Sequence, residues 1–183
     1  MNKIEALEIL KKYNKNKNLV KHGIAVEGVM RQFASINNED IEYWGIIGLL
    51  HDIDYELYPN EHCKKCVDIL LSEGISENVI KSIQSHGYGI CSDVKPEKVM
   101  EKVLYTIDEL TGLIIATALM KPNKTLAEVD LESVKKKWKK KDFAAGVNRE
   151  LIQSGADMLD VELDYIIEQT LIGMKEVASE LGL

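Results

Sequence analysis

The sequence predicts an all-α fold, and three observations support this prediction. Hydrophobic residues recur every three to four positions along nearly the whole chain, as on one face of a helix. No segment shows the alternation of apolar and polar residues that is typical of a half-buried strand. Of the 183 residues, 45% are hydrophobic and 29% are charged, which is typical of a soluble globular protein with a single domain, or at most with two tightly joined halves.

The N-terminal region of the chain divides into three predicted helices. The first covers about Lys3–Asn14 and ends at the polar cluster NKNKN, and the second covers about Leu19–Ser35. Glu39 and Asp40 then open a third helix, because acidic side chains are favourable at the positive end of a helix. This third helix ends near His51.

Capping residues divide the rest of the chain into further helices. Asn60, Ser76, Asn148 and Asp160 are the predicted N-caps, since their side-chain oxygens can accept hydrogen bonds from free N–H groups. Pro96 is suited to the first turn of the longest and most hydrophobic helix. The predicted ranges are about 61–72, 77–86, 96–120, a shorter helix from 130 through the lysine run, 148–159 and 161–181.

Composition limits the partners and the compartment. Lys plus Arg number 23 against 30 Asp plus Glu, and this net charge of -7 argues against nucleic acid as the main partner. The N-terminus lacks the apolar core of a signal peptide, and the longest apolar stretch, Leu110–Met120, is about half a bilayer span. Three cysteines fit a reducing compartment. We therefore expect a cytoplasmic protein without a membrane segment; the oligomeric state stays open.

The four histidines share one property, which is that apolar residues accompany each of them at helical spacing. His22, His51, His62 and His86 are therefore all predicted to face buried surfaces. A single histidine on such a face is usually an ordinary core residue. Four such histidines in one bundle have the ligand type and number that Zn, Mn or Fe sites use.

Two carboxylates accompany the histidines. Asp108 lies in the middle of the most hydrophobic helix, and no Lys or Arg is one turn away on its face. Because burying a lone charge costs several kcal/mol or more, Asp108 should be protonated, paired with a cation or bound to a metal. Asp52 directly follows His51 at a predicted helix end, where both side chains can reach one ion.

The order His22, His51-Asp52, Asp108 resembles the H…HD…D signature of the HD superfamily of metal-dependent phosphohydrolases. The segments LLHDID, EH, SIQSHG and EKVLYTIDELTGLI resemble the H…HD…H…H…D variant that binds two metal ions. This resemblance covers about 19–120. The segment KKKWKKKDFAAGVNRE resembles the C-terminal helices of a bacterial and archaeal HD subgroup described only as predicted hydrolases.

The resemblance implies a single HD domain over 1–183, with a helical core at about 19–120 and a C-terminal helical extension at about 125–183. It implies one or two divalent ions per chain, which could be Fe, Mn, Zn, Ni, Co or Mg. The implied reaction is hydrolysis of a nucleotide or other small phosphorylated metabolite by attack of a metal-bound water. The implied ligands are His22, His51, Asp52, His62, His86 and Asp108.

Other functions stay open for this set of residues. Some proteins with the H…HD…H…H…D ligand set resemble di-iron oxygenases, and others could be modules that bind a metal or ligand without turnover. His62, Cys63 and Cys66, with Cys91, could also bind zinc, although buried cysteines are common in ordinary cores.

The catalytic acids follow from the same motif. Asp52 would both bind the metal and hold the attacking water. Asp54 or Glu56, two and four residues later, could protonate the leaving group. The alternative is that both are solvated loop acids.

The run Lys135–Lys141 contains six lysines and no acid. Most of these side chains must cover a solvated helix face, because six neighbouring residues cannot all face one pocket. Our functional hypothesis is that Lys136, Lys137 and Arg149 bind substrate phosphates near the metal. Trp138 among the lysines could stack on a base, but one aromatic residue is weak support for nucleic-acid binding.

Overall fold

The computed structural model describes residues 1–183 and contains ten α-helices and no β-strand, which confirms the predicted fold class. Short 3-10 turns at Pro59–Glu61, Ser85–Gly87 and Leu126–Glu128 connect some of the helices. The helices are α1 (Lys3–Tyr13), α2 (Lys17–Ile36), α3 (Ile41–Leu50), α4 (Lys65–Ser72), α5 (Glu77–Gln84), α6 (Val99–Leu119), α7 (Leu131–Trp138), α8 (Arg149–Leu159), α9 (Leu163–Glu176) and α10 (Ala178–Leu181).

Side-chain caps fix several helix starts as the sequence predicts. The side chain of Asp40 accepts a hydrogen bond from the N–H of Tyr43 at the start of α3. Asn148 accepts one from Leu151 at the start of α8, at 3.0 Å. These bonds satisfy N–H groups that have no partner within the helix.

Two predicted helix starts are wrong for the same reason, a residue in the left-handed conformation. Cys63 has φ of 63°, which no residue inside an α-helix can adopt, so α4 begins only at Lys65. Asp160 has φ of 55° and ends α8; it does not cap the next helix, which begins at Leu163. His62 therefore lies in a turn before α4.

One continuous core joins the N-terminal and C-terminal helices. Forty buried hydrophobic residues form it, from Ala6 in α1 to Leu181 in α10. Helix α2 lies at its centre and packs on α3, α6 and α9. Gly28 of α2 and Gly173 of α9 allow these two backbones to touch, since a Cβ on Gly28 would lie 2.7 Å from the carbonyl oxygen of Gly173. None of the ten helices has the length and apolar character that crossing a bilayer requires.

Candidate metal centre

Six side chains with metal-binding atoms converge at one end of the bundle. They come from five places near the helix ends and in the helices, and their sequence separation reaches 86 residues. Helix α2 carries His22, the turn after α3 carries His51 and Asp52, the turn before α4 carries His62, the 3-10 turn after α5 carries His86, and α6 carries Asp108.

The first half of this cluster consists of His22, His51 and Asp108. The Nε2 atoms of the two imidazoles lie 3.2 Å apart. Oδ1 of Asp108 lies 2.8 Å from Nε2 of His22 and 3.2 Å from Nε2 of His51. Three possible ligand atoms therefore surround one point, which is the arrangement that one metal ion needs.

The second half consists of His62 and His86, whose Nε2 atoms lie 3.1 Å apart. Asp52 lies between the two halves. Its Oδ1 is 3.4 Å from Nε2 of His62 and 3.5 Å from Nε2 of His86. Its Oδ2 is 3.4 Å from Nε2 of His51 and 3.7 Å from Nε2 of His22. The carboxylate of Asp52 thus directs one oxygen to each half.

All four imidazoles are oriented in the same way. Each Nδ1 faces outward to a hydrogen-bond acceptor, and each Nε2 faces the centre of the cluster. Hydrogen bonds of this kind fix the tautomer and ring orientation of metal-binding histidines. The acceptors are the carbonyl of Gly48 for His51 (2.8 Å), the carbonyl of Ile83 for His86 (2.5 Å), Oδ1 of Asp54 for His62 (2.7 Å) and Oγ1 of Thr111 for His22 (3.4 Å).

The charges of the cluster favour a cation. Burial lowers the pKa of the His51 imidazole, but the carboxylates of Asp52 and Asp108 outweigh this effect and raise the pKa well above its ordinary value. Burial raises the pKa of both carboxyl groups, but His51 and the other histidines hold each pKa well below its ordinary value. The donor set of imidazoles and carboxylates therefore fits a divalent transition-metal ion.

The cluster opens into a cavity of about 430 Å³. Sequence reasoning missed most of the other side chains that line it. Glu109 follows Asp108 directly, so a signal for it was present, whereas the loop that carries Gly146 and Val147 has no local pattern that predicts its position. The cavity is lined by His22, Asp52, Tyr55, His62, His86, Gly87, Ile90, Cys91, Asp108, Glu109, Gly112, Gly146, Val147 and Leu151.

The two acids expected to protonate a leaving group do not line this cavity. Asp54 is fully buried behind His62, and its Oδ2 accepts a hydrogen bond from the N–H of Cys66 at 2.8 Å. Glu56 accepts hydrogen bonds from the backbone N–H groups of Lys15 and Asn16, at 2.8 and 2.9 Å. Asp54 thus orients a histidine, and Glu56 supports the junction of α1 and α2; a role in proton transfer stays a prediction for both.

Lys136, Lys137 and Arg149 also lie outside the lining of the cavity. Lys136 is exposed, and the ammonium group of Lys137 lies 4.3 Å from the centre of the Phe143 ring. Arg149 uses all five of its N–H donors on backbone carbonyls of the preceding segment, so none is free for a phosphate. These carbonyls belong to Trp138, Lys140, Phe143, Ala144 and Val147. Substrate binding by these three residues stays a prediction.

The cysteines divide into two kinds. Cys66 belongs to the hydrophobic core. Sγ of Cys63 lies 2.9 Å from Sγ of Cys91 and 3.8 Å from Nε2 of His86. The contact with Cys63 lowers the pKa of the Cys91 thiol to about 6. Cys66 thus packs in the core, whereas Cys63 and Cys91 form a pair that borders the cluster.

No known family model matches the chain, and no solved structure matches its fold.

Proposed function

We propose that this protein is a metal-dependent phosphohydrolase of the HD type, which acts on a nucleotide or another small phosphorylated metabolite. One observation carries the proposal: Asp52 directs one carboxylate oxygen to His22 and His51 and the other to His62 and His86. A carboxylate placed in this way is suited to bridge two ions, and a pair of ions about 3.5–4 Å apart is a common phosphoester-hydrolysing centre.

A divalent ion bound here would lower the pKa of a coordinated water and polarise a phosphoryl oxygen. The chain itself supplies orientation. The outward hydrogen bonds of the four imidazoles keep each Nε2 lone pair directed to the centre. Asp54 holds His62 in place through Nδ1, and Thr111 does the same for His22.

The charge of the cavity supports a cation-dependent reaction. Three acids, Asp52, Asp108 and Glu109, line it, and no Lys or Arg does. A phosphate group is an anion, so these carboxylates would repel it unless a bound cation reversed the local charge. The protein should therefore bind its substrate only together with the metal.

The size and walls of the cavity fit a small molecule. A volume of about 430 Å³ lies within the usual range for metabolite sites. Tyr55, Ile90 and Leu151 provide apolar and aromatic surface beside the metal-binding atoms. This combination suits a substrate with a phosphate at one end and a less polar group, such as a nucleoside, at the other.

The test is a metal analysis of the purified protein together with a broad panel of phosphoesters in Mn, Co, Ni and Mg. We expect one or two ions per chain and hydrolysis of at least one phosphoester, with both lost in Asp52→Ala. Oxygen consumption by the iron-loaded protein, without phosphoester hydrolysis, would indicate a di-iron oxygenase. Bound metal without any turnover would indicate a binding module, and unchanged metal content in Asp52→Ala would refute the metal centre.

A further inference from the structure

Two thiols from different segments meet at the edge of the cluster. Cys63 lies in the turn before α4, and Cys91 lies in the loop between the Ser85–Gly87 turn and α6. Although 28 residues separate them, their Sγ atoms lie 2.9 Å apart. This distance is shorter than the van der Waals contact distance of two sulfur atoms, so the fold holds the two thiols in very close contact.

The residues around the thiols leave room for this close approach. A Cβ on Gly87 would overlap Sγ of Cys91 and Sγ of Cys63, so only glycine leaves room for the pair. Cys63 adopts a left-handed φ of 63°, which is unfavourable for a residue with a side chain. The carbonyl of Gly87 accepts the N–H of Cys91 at 3.0 Å, which fixes the loop above it.

The two thiols differ in their access to solvent. Cys91 lines the cavity and is partly exposed, so a small molecule that enters the cavity meets this residue. Cys63 is buried behind it, with 1% of the residue exposed. This is the arrangement of a more accessible thiol that reacts first and a buried neighbouring thiol that resolves the product.

We propose that Cys63 and Cys91 form a redox-active pair that a peroxide oxidises to a reversible intramolecular disulfide. The sulfur of Cys91 attacks one oxygen of hydrogen peroxide, the O–O bond breaks, and a sulfenic acid and one water form. The sulfur of Cys63 then attacks the sulfur of Cys91. The S–O bond breaks, the S–S bond forms, and a second water leaves with the thiol proton. Two thiols lose two electrons in total, and one peroxide becomes two waters.

The disulfide also affects the candidate metal centre, and this aspect of the inference rests on the proposed function. Cys63 directly follows His62, and its Sγ lies 3.8 Å from Nε2 of His86. Closing the bond brings the sulfurs to about 2.05 Å, so the two segments must shift towards each other. His62 and His86 belong to these segments, and we expect oxidation to lower the metal content by about one ion per chain.

The experiment treats the full-length reduced protein with hydrogen peroxide and follows free thiols, intact mass and disulfide-linked peptides. Wild type should fall from three free thiols to one and lose two hydrogens, and dithiothreitol should restore all three. Cys91→Ser and Cys63→Ser should lose the intramolecular disulfide, and the control Cys66→Ser should keep it. Cys91 lies at the cavity wall, so Cys91→Ser tests the pair even if Cys63→Ser does not fold.

A second variant tests the geometry. Gly87→Ala places a methyl group between the sulfurs and should slow disulfide closure severalfold, whereas Gly112→Ala, which has no atom closer than 3.8 Å to its Cβ, should not. The proposed redox pair would be refuted by any of three results: three free thiols in the oxidised wild type, a disulfide that requires Cys66, or disulfide linkage only between chains. Full metal content after oxidation would refute only the effect of the disulfide on the metal centre. Absence of metal in both the reduced and the oxidised protein would refute only the proposed function.

Discussion

Nδ1 of His62 donates a hydrogen bond to Oδ1 of Asp54 at 2.7 Å, and the side chain of Asp54 is completely buried. An ionised carboxylate only accepts hydrogen bonds, so the hydrogen of the neutral imidazole lies on Nδ1 and the lone pair of Nε2 faces the cluster. The second oxygen of Asp54 accepts the N–H of Cys66 at the start of α4. Asp54 thus ties the orientation of a candidate ligand to a helix.

Asp54→Asn should lower metal affinity without abolishing binding. The amide oxygen can still accept one of the two hydrogen bonds, but it carries no charge to increase the basicity of His62. Replacing such a supporting carboxylate costs about 10–100-fold in metal affinity. Metal titration monitored by calorimetry checks this, with Glu56→Gln as the control, because Glu56 contacts only backbone N–H groups near α2. Equal affinities of Asp54→Asn and wild type would contradict the supporting role.

Loss of either histidine in the second half should reduce the metal content from about two ions per chain to about one. His62 and His86 approach Asp52 through its Oδ1 and not through the Oδ2 that faces His22 and His51, so their removal should leave the first half of the cluster intact. His51→Ala should lose more metal, because His51 lies beside the carboxylates of both Asp52 and Asp108. Metal counting on folded His86→Ala protein measures this. A stoichiometry equal to wild type, with lower stability, would identify His86 as a core residue.

Local periodicity and capping predicted the helices, whereas the approach of the candidate ligands was expected from their apolar faces together with the resemblance to the HD signature. Asp40 and Asn148 cap the helices that their positions predicted. The position of His62 in a turn could not be predicted, since cysteine is not a residue type that indicates the left-handed conformation that Cys63 adopts. The hydrogen bonds of Arg149 to five carbonyls could not be predicted either. An arginine near a lysine run looks the same in the sequence whether its guanidinium binds phosphate or backbone carbonyls.

Arg149→Lys should loosen the segment between α7 and α8. Lysine has three donors on one nitrogen and cannot reach the five carbonyls that the guanidinium contacts. We expect a loss of about 0.5–1.5 kcal/mol of stability, the usual net contribution of a hydrogen bond, because these carbonyls are only partly buried and water can replace part of the lost contacts. Trypsin cleavage in the lysine run should also become faster. Lys136→Arg is the matched control, because its side chain is exposed and arginine keeps the trypsin site, and it should change neither quantity. If Lys136 or Lys137 binds phosphate, its alanine variant should instead raise KM.

Glu101 should stabilise the protein at neutral pH and lose this effect in acid. Burial raises the pKa of its carboxyl group, but hydrogen bonds from the N–H groups of Lys98 and Glu97 and from Ser82 outweigh this and lower the pKa. Because the folded pKa is below the unfolded one, the stabilisation is present above about pH 4.3 and is lost as the pH falls through the folded pKa. Urea unfolding of wild type and Glu101→Gln should therefore show a difference in unfolding free energy that shrinks below about pH 4. A difference independent of pH would contradict this.

Gly28→Ala should destabilise the fold because it separates two helices that pack without side chains between them. A methyl group on Gly28 would lie 2.7 Å from the carbonyl oxygen of Gly173 and 2.8 Å from Cγ2 of Val177. The carbonyl belongs to the backbone of α9, so α2 and α9 must move apart, and overpacking of this kind costs about 1–3 kcal/mol.

Gly112→Ala in α6 is the control, since its Cβ would meet only Cγ2 of Val147 at 3.8 Å, an ordinary contact. Alanine is the better residue inside a helix, so this change should raise stability by up to about 1 kcal/mol. Chemical denaturation of both variants measures the difference. The contact between α2 and α9 also fixes the position of α2, which carries His22, relative to the C-terminal helices. Gly28→Ala should therefore lower metal affinity as well as stability. A loss of stability with unchanged metal affinity would mean that the cluster keeps its geometry independently of this contact.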